Sequence, residues 1–295
     1  GAVTKKRVQM KRFHKILILP QLITLAVAPA TRSEQEAPEV RLPPGAMTLL
    51  ESSIVKQEVS DEVGGVKLKG FMAYDQTLPG KRPGVLVVHE WWGHNDYVRT
   101  RAQMLADMGY TAFALDMYGD GKLAQHPGDA QKFMMEVLGN IEAAEARFDA
   151  AHKILRDHAT TDKTKTAAIG YCFGGAVVLH MARVGTDLDG VASFHGNLST
   201  QSPAVEGAVK VRVLVLHGAD DSLIPPEQVE AFKLEMELAK VDMKLIAYPG
   251  AVHSFTNPGA TVVGEALKMP LAYNESADQD SWAELDRFLG EIFTD

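Results

Sequence analysis

Residues 166–175, TAAIGYCFGG, constrain this chain more than any other stretch. Ala167, Ala168 and Ile169 form a short apolar run, Gly170, Cys172, Gly174 and Gly175 follow, and AVVLHMARV continues with a helical pattern. A buried strand, a sharp turn and a helix fit that order. The spacing Gly-x-Cys-x-Gly is that of a nucleophile elbow with cysteine in the serine position. A side chain held at the tip of a strained strand-to-helix corner leaves no room for Cβ atoms two residues to either side, which accounts for the glycines. The corner would also set Cys172 at a helix N-terminus, where unpaired N–H groups favour thiolate. The same residues also describe a glycine-rich turn around an inert buried thiol, and the rest of the chain has to decide between the two.

The remaining sequence alternates strands and helices. Residues 53–59 and 66–74 read as two strands joined at Gly64-Gly65, a hairpin forming the antiparallel edge of a sheet. VLVVHE, after Pro83-Gly84, is the continuous apolar run of a central parallel strand covered on both faces. A helix follows over 96–108, with Val98, Ala102, Leu105 and Met108 at helical spacing, then a strand over 110–117. Two helices broken near Gly139-Asn140 lead to the elbow. Beyond it lie strands at 191–194, 211–217 and 243–248, a helix at 226–239, and a last helix at 276–293 that Ser276 and Gln279 would open as a capping box. At 295 residues and 46% hydrophobic, the chain can bury one large core. The expectation is a single α/β domain: a mostly parallel sheet covered by helices on both faces, with the chemistry beyond the carboxyl ends of its strands.

Two polar residues at such ends can partner Cys172. Asp221, in GADDSLIP, follows the strand VRVLVLHG, where a carboxylate on a short turn can orient an imidazole; Asp220 is its competitor, and turn capping the alternative role. His253 follows MKLIAYP with Ser254 and Phe255 beside it. His89, His195 and His217 also sit at strand ends and are rivals, whereas His126, His152, His158 and His180 lie on or near helices. Order favours Cys172, Asp221, His253: nucleophile, acid, base.

GYCFGG, GADDSLIP and YPGAVHSF together resemble the dienelactone hydrolase family of α/β-hydrolases, over about residue 55 to the C-terminus and including YNESADQDSW. The resemblance implies an α/β-hydrolase fold with Cys172, His253 and Asp221 as its catalytic triad. It adds Glu90, in VVHEWWG, as a carboxylate close to the thiol that helps switch it between a protonated and an attacking state; two such groups compete for one proton. The backbone N–H groups of Trp91 and Phe173 would form the oxyanion hole. Trp91, Trp92, Tyr118 and Phe255 would wall the substrate pocket, or else pack beneath the loops. Family members acting on anionic dienelactones place arginines where this chain has Asp120 and Asn257. The expected substrate is therefore a neutral or less acidic ester or lactone, hydrolysed through a thioester, and dienelactone itself is a poor fit.

HEWWGH does not make a zinc site, because a spacing of five turns His94 away from His89 on a helix; no metal or other cofactor is expected. Cys172 is the one cysteine, so no intramolecular disulfide forms. Residues 1–30 read as a secretory signal: basic KKRVQMKRFHK, apolar ILILPQLITLAVA, and the small residues of Ala28-Pro29-Ala30. Met10 opens a conventional leader, residues 1–9 being extraneous to it, and an uncleaved interfacial anchor is the alternative. Residues 31–45 form a linker and 46–295 the hydrolase domain, periplasmic or secreted. Six of the 30 Lys and Arg lie in the signal; without it, 24 face 38 Asp and Glu, a formal charge of −14. No basic patch remains for nucleic acid. The expected partner is a small-molecule ester or lactone, without stable membrane association once the signal is removed, on a monomer or dimer. Two other classes remain open from sequence, a thiol-based redox sensor and a catalytically silent binding module with the same fold.

Overall fold

The hairpin opens the part of the chain described by the computed structural model, residues 53–294. The expected signal and linker lie outside the described residues. β1 (Ile54–Val63) and β2 (Val66–Asp75) pair antiparallel around Gly64 and Gly65, whose φ of +59° and +80° suit a tight hairpin turn. Then come β3 (Arg82–Val88), α1 (Asp96–Asp107), β4 (Thr111–Leu115), α2 (Pro127–Leu138), α3 (Ile141–Asp157), β5 (Thr161–Tyr171) and α4 (Phe173–Arg183). β6 (Gly190–Phe194), β7 (Arg212–Gly218), α5 (Pro226–Leu238), β8 (Met243–Tyr248), α6 (Ala260–Leu267) and α7 (Glu275–Thr294) complete the order. The eight strands form one sheet, β1-β2-β4-β3-β5-β6-β7-β8, parallel from β4 to β8 and antiparallel only at the β1–β2–β4 edge.

Both faces are covered, which is why β3 reads as an unbroken apolar run. Leu86 and Val88 face a core shared with α3, α4 and α5, including Phe148, Val178 and Phe232. Val85 and Val87 face the opposite core, with Leu105 of α1 and Leu285 and Leu289 of α7. None of these four β3 side chains has exposed surface, and each such burial is worth about 1.5–3 kcal/mol. The central strands are thereby fixed in register, and the loops at their carboxyl ends stand on a rigid base.

Three boundaries differ from the sequence reading. β5 begins several residues before its apolar run, because the Asp162–Lys165 stretch is polar and partly exposed yet still extended. Residues 257–271, a plain loop by sequence, contain α6. The Ser276–Gln279 capping box does not form: Asn274 Oδ1 accepts the Ala277 N–H at 3.1 Å, and Gln279 Nε2 donates to Glu275 Oε1 at 3.2 Å. An amide side chain two residues earlier reaches the free N–H first, so α7 starts at Glu275.

Candidate active site

The elbow forms where the pattern predicts. Cys172 sits between β5 and α4 at φ +53° and ψ −114°, and its N–H donates to the Phe194 carbonyl at 3.0 Å. A Cβ on Gly170 would lie 2.0 Å from the Gly174 carbonyl oxygen, and one on Gly174 would lie 2.3 Å from that of Val88. Both obstacles are main chain of a buried sheet and helix, so neither gives way. Gly174→Ala is expected to cost about 3 kcal/mol or more by urea denaturation, at the upper end for a single substitution. A loss below 1 kcal/mol would mean that the corner tolerates the displacement.

Asp221, after β7, and His253, after β8, converge on this corner. His253 Nδ1 lies 2.8 Å from Asp221 Oδ2, and Nε2 lies 3.1 Å from Cys172 Sγ. Asp221 Oδ1 accepts the Leu223 N–H at 2.9 Å, so both oxygens of this fully buried carboxylate are used. Asp220, its competitor in the sequence, is exposed, and its N–H donates to the Ala251 carbonyl. Burial disfavours the imidazolium of His253, but the charge on Cys172, the hydrogen bonds to Asp221 and Cys172, and the Asp221 charge outweigh it. Its pKa is pushed up to about 10.

The sign of that shift sets a pH dependence. A folded value above the ordinary 6.5 means the proton's contribution to stability is complete below about pH 6.5 and is lost as pH rises through about 10. Expulsion of an alkoxide needs the Nε2 proton. kcat/KM for alkyl esters is therefore expected to fall through about pH 10, and Asp221→Asn to move that falling limb to lower pH. An unmoved limb in the variant would remove Asp221 from this role.

The rival histidines have other positions. His89 Nε2 accepts the Met117 N–H at 3.2 Å, leaving Nδ1 to donate to the Glu90 carbonyl at 2.6 Å. Burial pushes its pKa down, so the ring is a neutral strut under the loop. His217 lies within β7. His195, at φ +41°, packs edge-on against the His253 ring at 5.3 Å, and its Nε2 is 2.9 Å from Thr256 Oγ1.

Glu90 is buried, but its carboxylate is not hydrogen-bonded to the thiol. Ser254 Oγ donates to Oε1 at 2.8 Å and Asn257 Nδ2 to Oε2 at 2.7 Å. Burial raises its pKa, partly offset by those two hydrogen bonds. Asn257 Oδ1 meanwhile accepts the Gly259 N–H at 2.9 Å. An arginine has no acceptor to offer that amide, so the asparagine is built into the turn as well as into the carboxylate's environment.

The Trp91 loop follows β3. Among the described residues, neither the Trp91 nor the Phe173 amide donates a hydrogen bond to another protein group. Tyr118 Oη donates to the Trp91 carbonyl at 2.8 Å, and its ring packs on His89 and Phe173. Tyr118 is thus a buried prop for the loop and not a pocket wall. Phe255 is corrected in the same way: it has no exposed surface and packs with Ala251, Ala277 and Tyr248. Trp92 and Asn257 do line a cavity of about 520 Å³, beside Leu123, Ser254 and α6. Asp120 is exposed and outside that lining, so the acid that stands in for a family arginine does not face this space.

Arg101 is the residue that the sequence reading missed. Buried on α1, it donates to the Thr256 carbonyl at 2.5 Å and to Asp278 Oδ1 at 2.6 Å, with the rings of Tyr97, Tyr171 and Trp282 around its guanidinium. Tyr97 Oη and His195 Nε2 both meet Thr256 Oγ1. Thr256 therefore ties the His253 loop to α1, through Tyr97 and Arg101, and to the turn after β6, through His195. A signal was present: Arg101 falls three residues after Val98 and four before Leu105, on the apolar stripe of its helix.

Comparison with known proteins agrees with this architecture. A profile of the dienelactone hydrolase family matches residues 68–293. Protein usf of Aquifex pyrophilus is 29% identical over 243 residues, covering 81% of this chain and 99% of the relative. The crystal structure of a dienelactone hydrolase-like promiscuous phosphotriesterase from metagenomic libraries is 34% identical, with a TM-score of 0.75 over 82% of this chain and 99% of that one. A solved structure named m3DLH is 35% identical, with a TM-score of 0.76 and the same coverage. An eight-stranded α/β-hydrolase sheet, with these motifs at its strand ends and a family match over most of its length, makes this chain a member of the dienelactone hydrolase family, a hydrolase of ester or lactone bonds.

Proposed function

We propose that Cys172 is the nucleophile of an esterase or lactonase that works through a thioester and prefers uncharged substrates. The observation that carries the reading is the continuous chain from Sγ through the imidazole to a buried carboxylate, at 3.1 and 2.8 Å. A silent binding module has no need to hold a thiol on a strained corner against an oriented imidazole. A sensor thiol would lack a resolving cysteine in its own chain.

In this mechanism Sγ attacks the ester carbonyl, and the resulting oxyanion takes hydrogen bonds from the Trp91 and Phe173 amides. His253 Nε2 gives its proton to the leaving oxygen, the C–O bond breaks, and the thioester remains. Nε2 then takes a proton from water as it attacks the thioester, and the second collapse returns Sγ and the free acid. Asp221 holds the imidazole in the tautomer that both steps require. Glu90, gripped by Ser254 and Asn257, sets an acid beside the His253 loop, which favours neutral over anionic substrates.

Rapid mixing with a p-nitrophenyl ester is expected to give a burst of p-nitrophenol stoichiometric with enzyme, followed by slower turnover. Lactones bearing a carboxylate should be poorer substrates than neutral esters of matched size; a strong preference for the anionic set would overturn the specificity reading. A neutral aryl phosphotriester belongs in the same panel, given what the metagenomic relative is named for. We also place the mature chain outside the cytoplasm, on the pattern of residues 1–30. N-terminal sequencing of exported protein should begin after Ala30.

A further inference from the structure

We propose that the cavity between the Trp92 loop and α6 binds the alcohol portion of the substrate ester, and that it takes an uncharged alkyl or aryl group. The inference rests on the cysteine-hydrolase reading and adds a location and a ligand chemistry to it. The cavity has a volume of about 520 Å³, and Leu123, Val263, Ala266, Leu267 and Leu271 supply apolar wall. Asn95, Gln125, Ser254 and Asn257 supply polar groups, and no Asp, Glu, Lys, Arg or His is among the lining residues. Mostly apolar walls with a few amide and hydroxyl groups, at this volume, are the chemistry of a small-molecule site. An ionised group entering it would lose hydration without finding a cation.

Its place relative to the triad selects which half of the ester it receives. Ser254 and Asn257 belong to the loop that carries His253, and Leu271 pairs with His253 itself in an isolated β-bridge. The cavity is thus built partly on the loop that carries the imidazole. With the carbonyl oxygen directed at the Trp91 and Phe173 amides, the leaving oxygen must lie near Nε2 to receive its proton. The substituent on that oxygen then extends along the His253 loop, toward α6. Trp92 forms the facing wall, one residue beyond the amide that meets the oxyanion.

The test is a series of alkyl butyrates from methyl to hexyl, followed by acid release. kcat/KM is expected to rise by up to about fourfold per methylene, the factor for burying one CH₂, so that hexyl exceeds methyl butyrate by up to about a thousandfold. A hexyl alcohol ending in a carboxylate should lose that gain. Ala266 is exposed on α6, so Ala266→Trp fills the cavity without disturbing the core. In that variant the hexyl-to-methyl ratio should collapse toward one; Val263→Trp is the second variant, and circular dichroism confirms that each folds. The proposal is overturned by a flat alcohol series in the wild type, by a hexyl gain that survives both variants, or by a gain that follows only the acyl chain. The p-nitrophenyl acetate burst separates the two levels. A burst with a flat alcohol series sinks the cavity assignment alone, whereas no burst sinks the thioester reading beneath it.

Discussion

Replacing Cys172 with alanine is expected to lower kcat/KM for p-nitrophenyl butyrate by about 10⁴-fold or more while leaving the folded structure in place. The size follows from what the substitution removes. The two amides and the pocket remain, and they supply the residual rate over water. In the proposed mechanism the bond-forming atom is gone, and His253 loses the sulfur that its Nε2 faces at 3.1 Å. Cys172 is partly exposed and lies at the first turn of α4, so shortening its side chain leaves little cavity behind. A thermal midpoint within a few degrees of wild type should accompany the kinetic loss. Turnover within tenfold of wild type would mean that another group attacks the ester.

Arg101→Met carries the largest expected cost in stability, about 3–5 kcal/mol, the range for breaking a buried ion pair from one side. For a domain of this size that lowers the melting temperature by about 6–10 °C. The guanidinium is 2.6 Å from Asp278 and 2.5 Å from the Thr256 carbonyl, in a cage of three aromatic rings. Its removal strands a half-buried carboxylate and a buried carbonyl together. A second change, Asp278→Leu, should restore much of the stability, because an apolar pair of similar volume replaces an ion pair at little net cost. It cannot restore the bond to Thr256. Activity in the double variant should therefore stay low through kcat, with KM little changed, since Thr256 stands in the loop that sets the imidazole. Recovery of both stability and kcat would make Arg101 a packing residue only.

The sheet was legible because its signals are local. The apolar run of β3 reads as a strand covered on both faces and the glycines flanking Cys172 as a tight turn, and chain order then favours His253 among the candidate histidines at strand ends. What stayed illegible depends on contacts across the fold. Asn274 displaces Ser276 as the cap of α7 only because the chain arrives tied to Phe255, whose carbonyl accepts the Asn274 N–H at 3.0 Å. Phe255 and Tyr118 carry the composition of pocket walls, yet β8, α7 and the Trp91 loop close over them. α6 hides behind Asn257-Pro258-Gly259, which reads as a turn, and its apolar residues serve a cavity that no periodicity announces. Glu90, expected close to the thiol, is buried and held by other groups. Its partners, Ser254 and Asn257, are more than 160 residues away in sequence and appear only once β3 and β8 stand in one sheet.

The most direct measurement is the mass of the enzyme quenched in acid during turnover of p-nitrophenyl butyrate. One butyryl group should be found, on the peptide containing Cys172, and neutral hydroxylamine should remove it as expected for a thioester. A burst with Cys172 unmodified and the acyl group on another residue would contradict the account.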